Sequence, residues 1–256
     1  MDIFQSIILG IVEGITEFLP ISSTGHLILT SKILAIPESE FLKSFEIAIQ
    51  LGAIAAVIVL YRKAFTDTGT LKKLFVAFLP TAALGFLFYK IIKSYLLGSE
   101  TVVLWALLLG GIAIIACELL FFRKNPNAPE GTTTISYPQA FLVGLFQAVA
   151  IVPGVSRSAA TILGGLFMNI ERKTIVEFSF LLAVPTILAA TGFDLLKNSS
   201  SFSSSDLVAL AFGFITAFAV ALFAINFLLR FIKTNTFILF GVYRIVLAFI
   251  FWFVIF

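Results

Sequence analysis

Six apolar runs of membrane-crossing length constrain this chain more than anything else in it. They lie at about 42–61, 74–94, 101–122, 174–194, 206–229 and 236–256. A run of roughly 20 apolar residues spans the hydrocarbon of a bilayer as a helix. Inside lipid every backbone N–H and C=O must find its partner within the protein, which leaves helices or closed barrels. Runs of this length select helices. The composition agrees: 60% of the residues are hydrophobic, 12% are charged, and the mean hydropathy is +1.09. A soluble domain carries about 25% charged residues. The chain is therefore expected to be an all-α polytopic membrane protein. Its single cysteine, Cys117, forms no internal disulfide. The start, "MDIFQSIILG", lacks the basic flank of a cleavable signal peptide.

Two further segments, 3–36 and 138–169, are apolar but broken in the middle by "LPISSTG" and "VPGVSRS". Each half is too short to cross alone. Such segments are expected to be re-entrant helical hairpins, which need their irregular backbone buried in protein or lining a wet cavity. The competing reading is one long helix kinked at Pro20 or Pro153.

The two halves of the chain resemble each other. Gly10 and Glu13 align with Gly144 and Gln147. Pro20, Ser22 and Ser23 align with Pro153, Val155 and Ser156 at an offset of 133, and "AFLPTA" from Ala77 aligns with "AFGFIT" from Ala211. An internal duplication follows, each repeat being a hairpin plus three crossings. The first covers 1–122, a cytoplasmic linker covers 123–137, and the second covers 138–256. Three crossings are odd in number, so the second repeat is inverted. Inverted repeats place a site near the midplane, where broken helices meet.

Orientation follows from Lys and Arg. On this topology ten lie on one side: Arg62, Lys63, Lys72, Lys73, Arg123, Lys124, Arg172, Lys173, Arg230 and Lys233. Five lie on the other: Lys32, Lys43, Lys90, Lys93 and Lys197. The richer side should be cytoplasmic, and the first hairpin then opens outward. The net charge of +3 matters less than this asymmetry, and no nucleic-acid partner is expected.

The breaks carry the chemistry. Glu13 and Glu17, four apart, project from one helix face and repel. Each acid costs on the order of 3 kcal/mol at membrane depth. A cation against the pair would explain them, and Mg²⁺ or Ca²⁺ takes carboxylate oxygens; a protonated or solvated pair is the alternative. In "SSTGH", Ser22 is expected to bind a substrate phosphate, with a helix N-cap as the alternative. His26, one turn beyond Ser23, is placed to reach its hydroxyl, the layout of an activated nucleophile, or to serve as a general acid. In "PGVSRSAAT", Ser156 can cap the following helix, whose free N–H groups form an anion site. Arg157 adds a planar fork suited to phosphate, and Ser158 and Thr161 add hydroxyls. Arg157 could equally pair with Glu13 or Glu17 across the bundle. Together the groups suit hydrolysis at phosphorus. Arg244 is expected to be interfacial or in a buried ion pair.

"EGITEFLPISSTGHLIL" and "PGVSRSAAT" resemble the two signature regions of the undecaprenyl-diphosphate phosphatases, the bacterial enzymes linked to bacitracin resistance. The resemblance runs over the whole chain. It implies an enzyme of the bacterial inner membrane that removes the terminal phosphate of a polyprenyl diphosphate lipid and so recycles the carrier of envelope polymers. It also implies a site facing the periplasm, dependence on Mg²⁺ or Ca²⁺, functional roles for Glu13, Glu17, Ser23, His26, Ser156, Arg157 and Thr161, and room for a homodimer among the membrane lipids. The type 2 phosphatidic acid phosphatases are similar only in "TGH" and "SR". They need a second catalytic histidine, and His26 is alone. The rival to an enzyme is a transporter or flippase of polyprenyl phosphate lipids, which would use the same Arg157 cradle but has no need of a hydroxyl–imidazole pair.

Overall fold

The computed structural model describes residues 1–88, 96, 99–120, 132–198 and 204–255. Ten α-helices are labelled here in chain order: α1 Ile3–Thr16, α2 Ser23–Ile33, α3 Glu40–Leu60, α4 Thr68–Leu87, α5 Glu100–Leu120, α6 Tyr137–Ala148, α7 Arg157–Phe167, α8 Arg172–Asn198, α9 Ser204–Thr234 and α10 Ile238–Ile255. Six of these, α3, α4, α5, α8, α9 and α10, are long and apolar enough to cross a membrane. The chain is an all-α polytopic membrane protein. Most of the linker, the end of the 74–94 run, and Lys90, Lys93, Arg123 and Lys124 lie outside the described residues, as does most of the stretch after Lys197.

Local chemistry sets the helix starts. Asp2 and Ser136 each make a capping box with a glutamine three residues on, Gln5 and Gln139. Asp67 accepts from Thr70 N at 2.7 Å, so α4 begins at Thr68, earlier than the apolar run alone suggests. The α9 helix, 31 residues and so about 46 Å long, outreaches the hydrocarbon. Pro80 and Pro185 sit inside α4 and α8.

Packing crosses between the halves. The α1 helix lies along α9, and α6 lies along α4; α3 packs on α8, and α5 on α10. Each short first helix thus rests on a long helix of the other half. Bare backbone makes these contacts close. A Cβ on Gly144 would run into the Ala77 carbonyl, and one on Gly10 would lie 2.6 Å from the Gly213 carbonyl. The most enclosed helices are α3 and α8, with 56% and 61% of their apolar windows buried against 17% for α4. The centre of the bundle is therefore the α3–α8 contact, and α4 turns mostly to lipid.

One charged clasp closes the end of the bundle away from the broken segments' tips. Arg172 donates twice to the buried Glu118, at 2.5 and 2.8 Å, and Phe237 N donates to the same carboxylate at 2.9 Å. The Arg172 guanidinium also lies 5.4 Å from the Phe237 ring centroid. This is a desolvated charge with each oxygen satisfied, the arrangement a buried ion pair needs.

Gly144→Val should overpack the α6–α4 contact by about 1–3 kcal/mol. Its melting temperature in detergent is expected to fall relative to the parent, and an unchanged value would mean the two helices do not approach as described.

Candidate active site

The α1 helix stops because the sequence leaves it no way on. Pro20 has no N–H to donate, while Phe18 and Leu19 turn into the core, 0% and 7% exposed. Glu17 ends the helix, its N–H on the Glu13 carbonyl at 3.0 Å. The chain then reverses through Ser22, whose φ of 72° is rare for a side chain, and Ser22 caps α2 by accepting from Gly25 N at 3.4 Å. At the second break a 3-10 turn, Val149–Ile151, precedes Pro153 and Gly154 (φ 89°), and Ser156 caps α7 by accepting from Ala159 N at 3.2 Å. The two caps are Ser22 and Ser156, an offset of 134 residues. The second tip holds one more residue between its proline and its cap, so Ser22, and not Ser23, stands where Ser156 does.

The tips meet, and the second supplies what the first lacks. Ser158 Oγ donates to the Phe18 carbonyl at 2.8 Å, and Ser156 Oγ to that of Leu19 at 3.5 Å. Arg157 Nη2 donates to Glu17 Oε1 at 3.0 Å and lies 3.5 Å from the Glu17 carbonyl. The irregular stretch Glu17–Leu19 thus has its exposed carbonyls answered from across the bundle.

Glu17 is the hub. One oxygen takes Arg157; the other accepts from Ser23 Oγ at 2.7 Å. Arg157 Nη1 is fixed by the Ser179 carbonyl at 2.8 Å and Ser179 Oγ at 3.3 Å, and Ser179 Oγ is 2.6 Å from Thr161 Oγ1. The chain of donors closes if Arg157 donates to Ser179, Ser179 to Thr161, and Thr161 to the Arg157 carbonyl at 3.0 Å. The guanidinium also lies 5.9 Å from the Phe18 ring centroid, and its Nε is buried without a partner. Arg157 is thus held at Nη1 and Nη2, and only one of those bonds is an ion pair.

Glu13 is different. It is fully buried beside the Glu17 carboxylate, and neither of its oxygens has a hydrogen-bond donor among the described residues. Among the described residues no group of three or more His, Cys, Asp or Glu gathers to hold a metal. Two carboxylates on one helix face, one of them orphaned, are nonetheless the acceptor-only surface that a hard divalent cation fits, with further oxygens coming from water or a ligand. The counterpart of Glu13 in α6, Gln147, donates to Thr81 and Thr186 at 3.0 and 3.1 Å and makes a neutral network instead.

Several expectations change. His26 does not reach Ser23. Its Nδ1 lies 2.7 Å from the Ser22 carbonyl, and its Nε2 lies 2.8 Å from the Tyr243 hydroxyl. The carbonyl can only accept, so Nδ1 carries the proton and Nε2 accepts from Tyr243. The helix begins at Ser23, so a side chain one turn in folds back onto the cap carbonyl, while Ser23 turns to Glu17. Ser158 and Thr161 do not present free hydroxyls either; both brace backbone. Arg244 is buried and, among the described residues, has no ion pair and bonds only to carbonyls. Ser179 and Tyr243 join the site unannounced. A hydroxyl within the buried face of α8 and a tyrosine beside a membrane arginine were their only signals.

A family model described as bacitracin resistance protein BacA matches residues 6–250. The curated relatives include proteins named undecaprenyl-diphosphatase. That of Sulfurihydrogenibium sp. (strain YO3AOP1) is 51% identical over 98% of this chain and 99% of its own length. That of Persephonella marina is 51% identical over 98% of both. That of Aquifex aeolicus is 46% identical, again over 98% of both.

Glu13 carries into the bundle an acid whose oxygens lack a hydrogen-bond donor among the described residues. In chelator and detergent, Glu13→Gln should therefore melt higher than the parent, by about 2–4 °C for each kcal/mol relieved. A lower melting temperature would mean that the protein itself compensates the acid.

Proposed function

The chain belongs to the family of the bacitracin resistance protein BacA, and we infer from that membership and from the site that it is an enzyme, an undecaprenyl-diphosphatase. It hydrolyses undecaprenyl diphosphate to undecaprenyl phosphate and phosphate within the membrane. The observation that carries the catalytic reading is the bridge at Glu17, which joins Arg157 of one hairpin to Ser23 of the other. A lipid transporter has no use for a hydroxyl held on a carboxylate, and nothing favours that alternative.

The bridge suggests the order of events. The terminal phosphate is a better partner for the planar fork than a single carboxylate oxygen, and it draws Arg157 from Glu17. Glu17, relieved of its cation, becomes the base for the hydroxyl it already holds. Ser23 Oγ attacks the terminal phosphorus and passes its proton to Glu17, and the bond to the bridging oxygen breaks, leaving undecaprenyl phosphate. Water then cleaves the phosphoserine. In the second route a water stands in the place of Ser23 and attacks directly, with the same base. Arg157 and the N–H groups at the start of α7 meet the charge that grows on phosphorus. His26, its proton on the Ser22 carbonyl, is set apart from the nucleophile and orients the Tyr243 hydroxyl. Glu13 and Glu17 would hold Mg²⁺ or Ca²⁺, which when bound supplies charge neutralisation for the diphosphate.

We read the crossed packing of the halves as an inverted duplication with the site facing the periplasm, Arg62 and Lys63 lying on the cytoplasmic side. With Cys117 replaced, a cysteine at Lys63 should label only from the cytoplasm; labelling from outside would reverse the orientation.

Phosphate release by purified protein in detergent tests the chemistry. Wild type should release phosphate from undecaprenyl diphosphate and stop on thorough chelation. Arg157→Lys keeps charge but loses the fork, and should cost about 10²–10³-fold in turnover, as loss of an anion-stabilising donor does. Ser23→Ala separates the routes. A trapped phosphoserine in wild type and loss of turnover in the variant mean attack by serine; substantial turnover in the variant means attack by water.

A further inference from the structure

Arg244 is only 1% exposed, and no carboxylate pairs with it among the described residues. Its Nε donates to the Leu107 carbonyl at 3.3 Å; its Nη2 donates to Ala106 at 2.7 Å and to Gly154, in the second hairpin's tip, at 3.1 Å. Carbonyls satisfy N–H groups but do not cancel a unit charge. The remaining group, Nη1, is buried with no hydrogen-bond partner among the described residues. A buried guanidinium without an anion is costly, and in a membrane protein it marks a ligand's place.

Arg244 forms part of the wall of an apolar groove of about 630 Å³ between α5 and the second hairpin, lined also by Trp105, Leu109, Phe146, Leu163 and Ser156 among others. Gly110 makes this reach possible: a Cβ there would strike Arg244 Nη2 and lie 2.8 Å from Cζ. Ser156 belongs both to the groove and to the tip that touches the Glu17 turn. The groove therefore runs from an apolar face to a cation next to the phosphatase site, which is the pattern of a molecule with an anionic head and a long apolar tail.

We propose that this groove takes the head-proximal part of the substrate's prenyl chain and that Arg244, through Nη1, binds the phosphate bearing that chain. Two phosphates of one substrate then meet two guanidiniums, the terminal one Arg157 and the chain-bearing one Arg244. The inference rests on the phosphatase reading above and adds to it a division of labour between the cations.

The products separate the two. Hydrolysis leaves the chain-bearing phosphate on the prenyl product and releases the terminal one as inorganic phosphate. The Kd of farnesyl phosphate and of inorganic phosphate can be taken from the ligand dependence of the melting temperature, which needs no turnover. Arg244→Gln should weaken farnesyl phosphate by about tenfold or more and inorganic phosphate by less than about twofold. Arg244→Lys should fall between. Ala113→Trp fills the groove from α5 and leaves the arginine itself in the chain. It should raise KM for undecaprenyl diphosphate and leave inorganic phosphate binding unchanged, and it keeps the test decisive if the arginine variants fail to fold. Equal weakening of both ligands in Arg244→Gln, or of neither, would overturn the assignment, as would an unchanged KM in Ala113→Trp. Folded wild type that releases no phosphate from undecaprenyl diphosphate would instead overturn the phosphatase reading itself.

Discussion

A helix broken at membrane depth leaves carbonyls that water would normally satisfy, and everything distinctive in this molecule follows from how those groups are answered. At the first break the donors come from the other half of the chain. Ser158 and Arg157 reach the Phe18 and Glu17 carbonyls, and Ser156 approaches that of Leu19. The same contacts bring Arg157 onto the Glu17 carboxylate. Structural need and chemical opportunity are thus met by one set of bonds: the backbone could not stay open without the second tip, and the second tip cannot dock without delivering its arginine.

Charge is distributed unevenly around this junction. The Arg172–Glu118 clasp, remote from the tips, is fully compensated and holds helices together. Glu17 and Arg157 compensate each other across the two tips. Glu13 lacks a hydrogen-bond donor, and Arg244 lacks an ion pair, among the described residues. Burial without a partner is a stability cost that a purely structural protein sheds by substitution, and these are the two positions on which the proposed ligands, a cation and an anion, rest.

Much of this was legible in the residues. The six spans follow from length and hydropathy, and the two breaks from proline and polar residues inside apolar runs. Glu17 with Arg157 was foreseen as one of two partnerships for the arginine. The failures share a cause. Spacing along a helix places residues on a face but does not say which of several acceptors a short side chain will choose. Ser23 and His26 were within a turn of each other, yet each found a better partner, the Glu17 carboxylate and the Ser22 carbonyl. Tyr243 and Ser179 sit in helices far along the chain, and only the folded bundle brings them to the site. The register between the hairpins slipped by one because Gly154, at φ 89°, adds a residue to the turn before the cap.

The crossed packing also bears on how the protein is made. The Gly10 and Gly14 face of α1 is shaped to lie against α9, and no helix of its own half fills that place. A ribosome delivers α1 first and α9 almost last. Until the second hairpin follows, the opening hairpin holds a polar turn without the Ser158 hydroxyl and Arg157 guanidinium that answer its carbonyls. The nascent first half must therefore wait in a sheltered setting, at the membrane interface or beside the insertion machinery. Its final seating is an event of late synthesis, timed by the arrival of the other half.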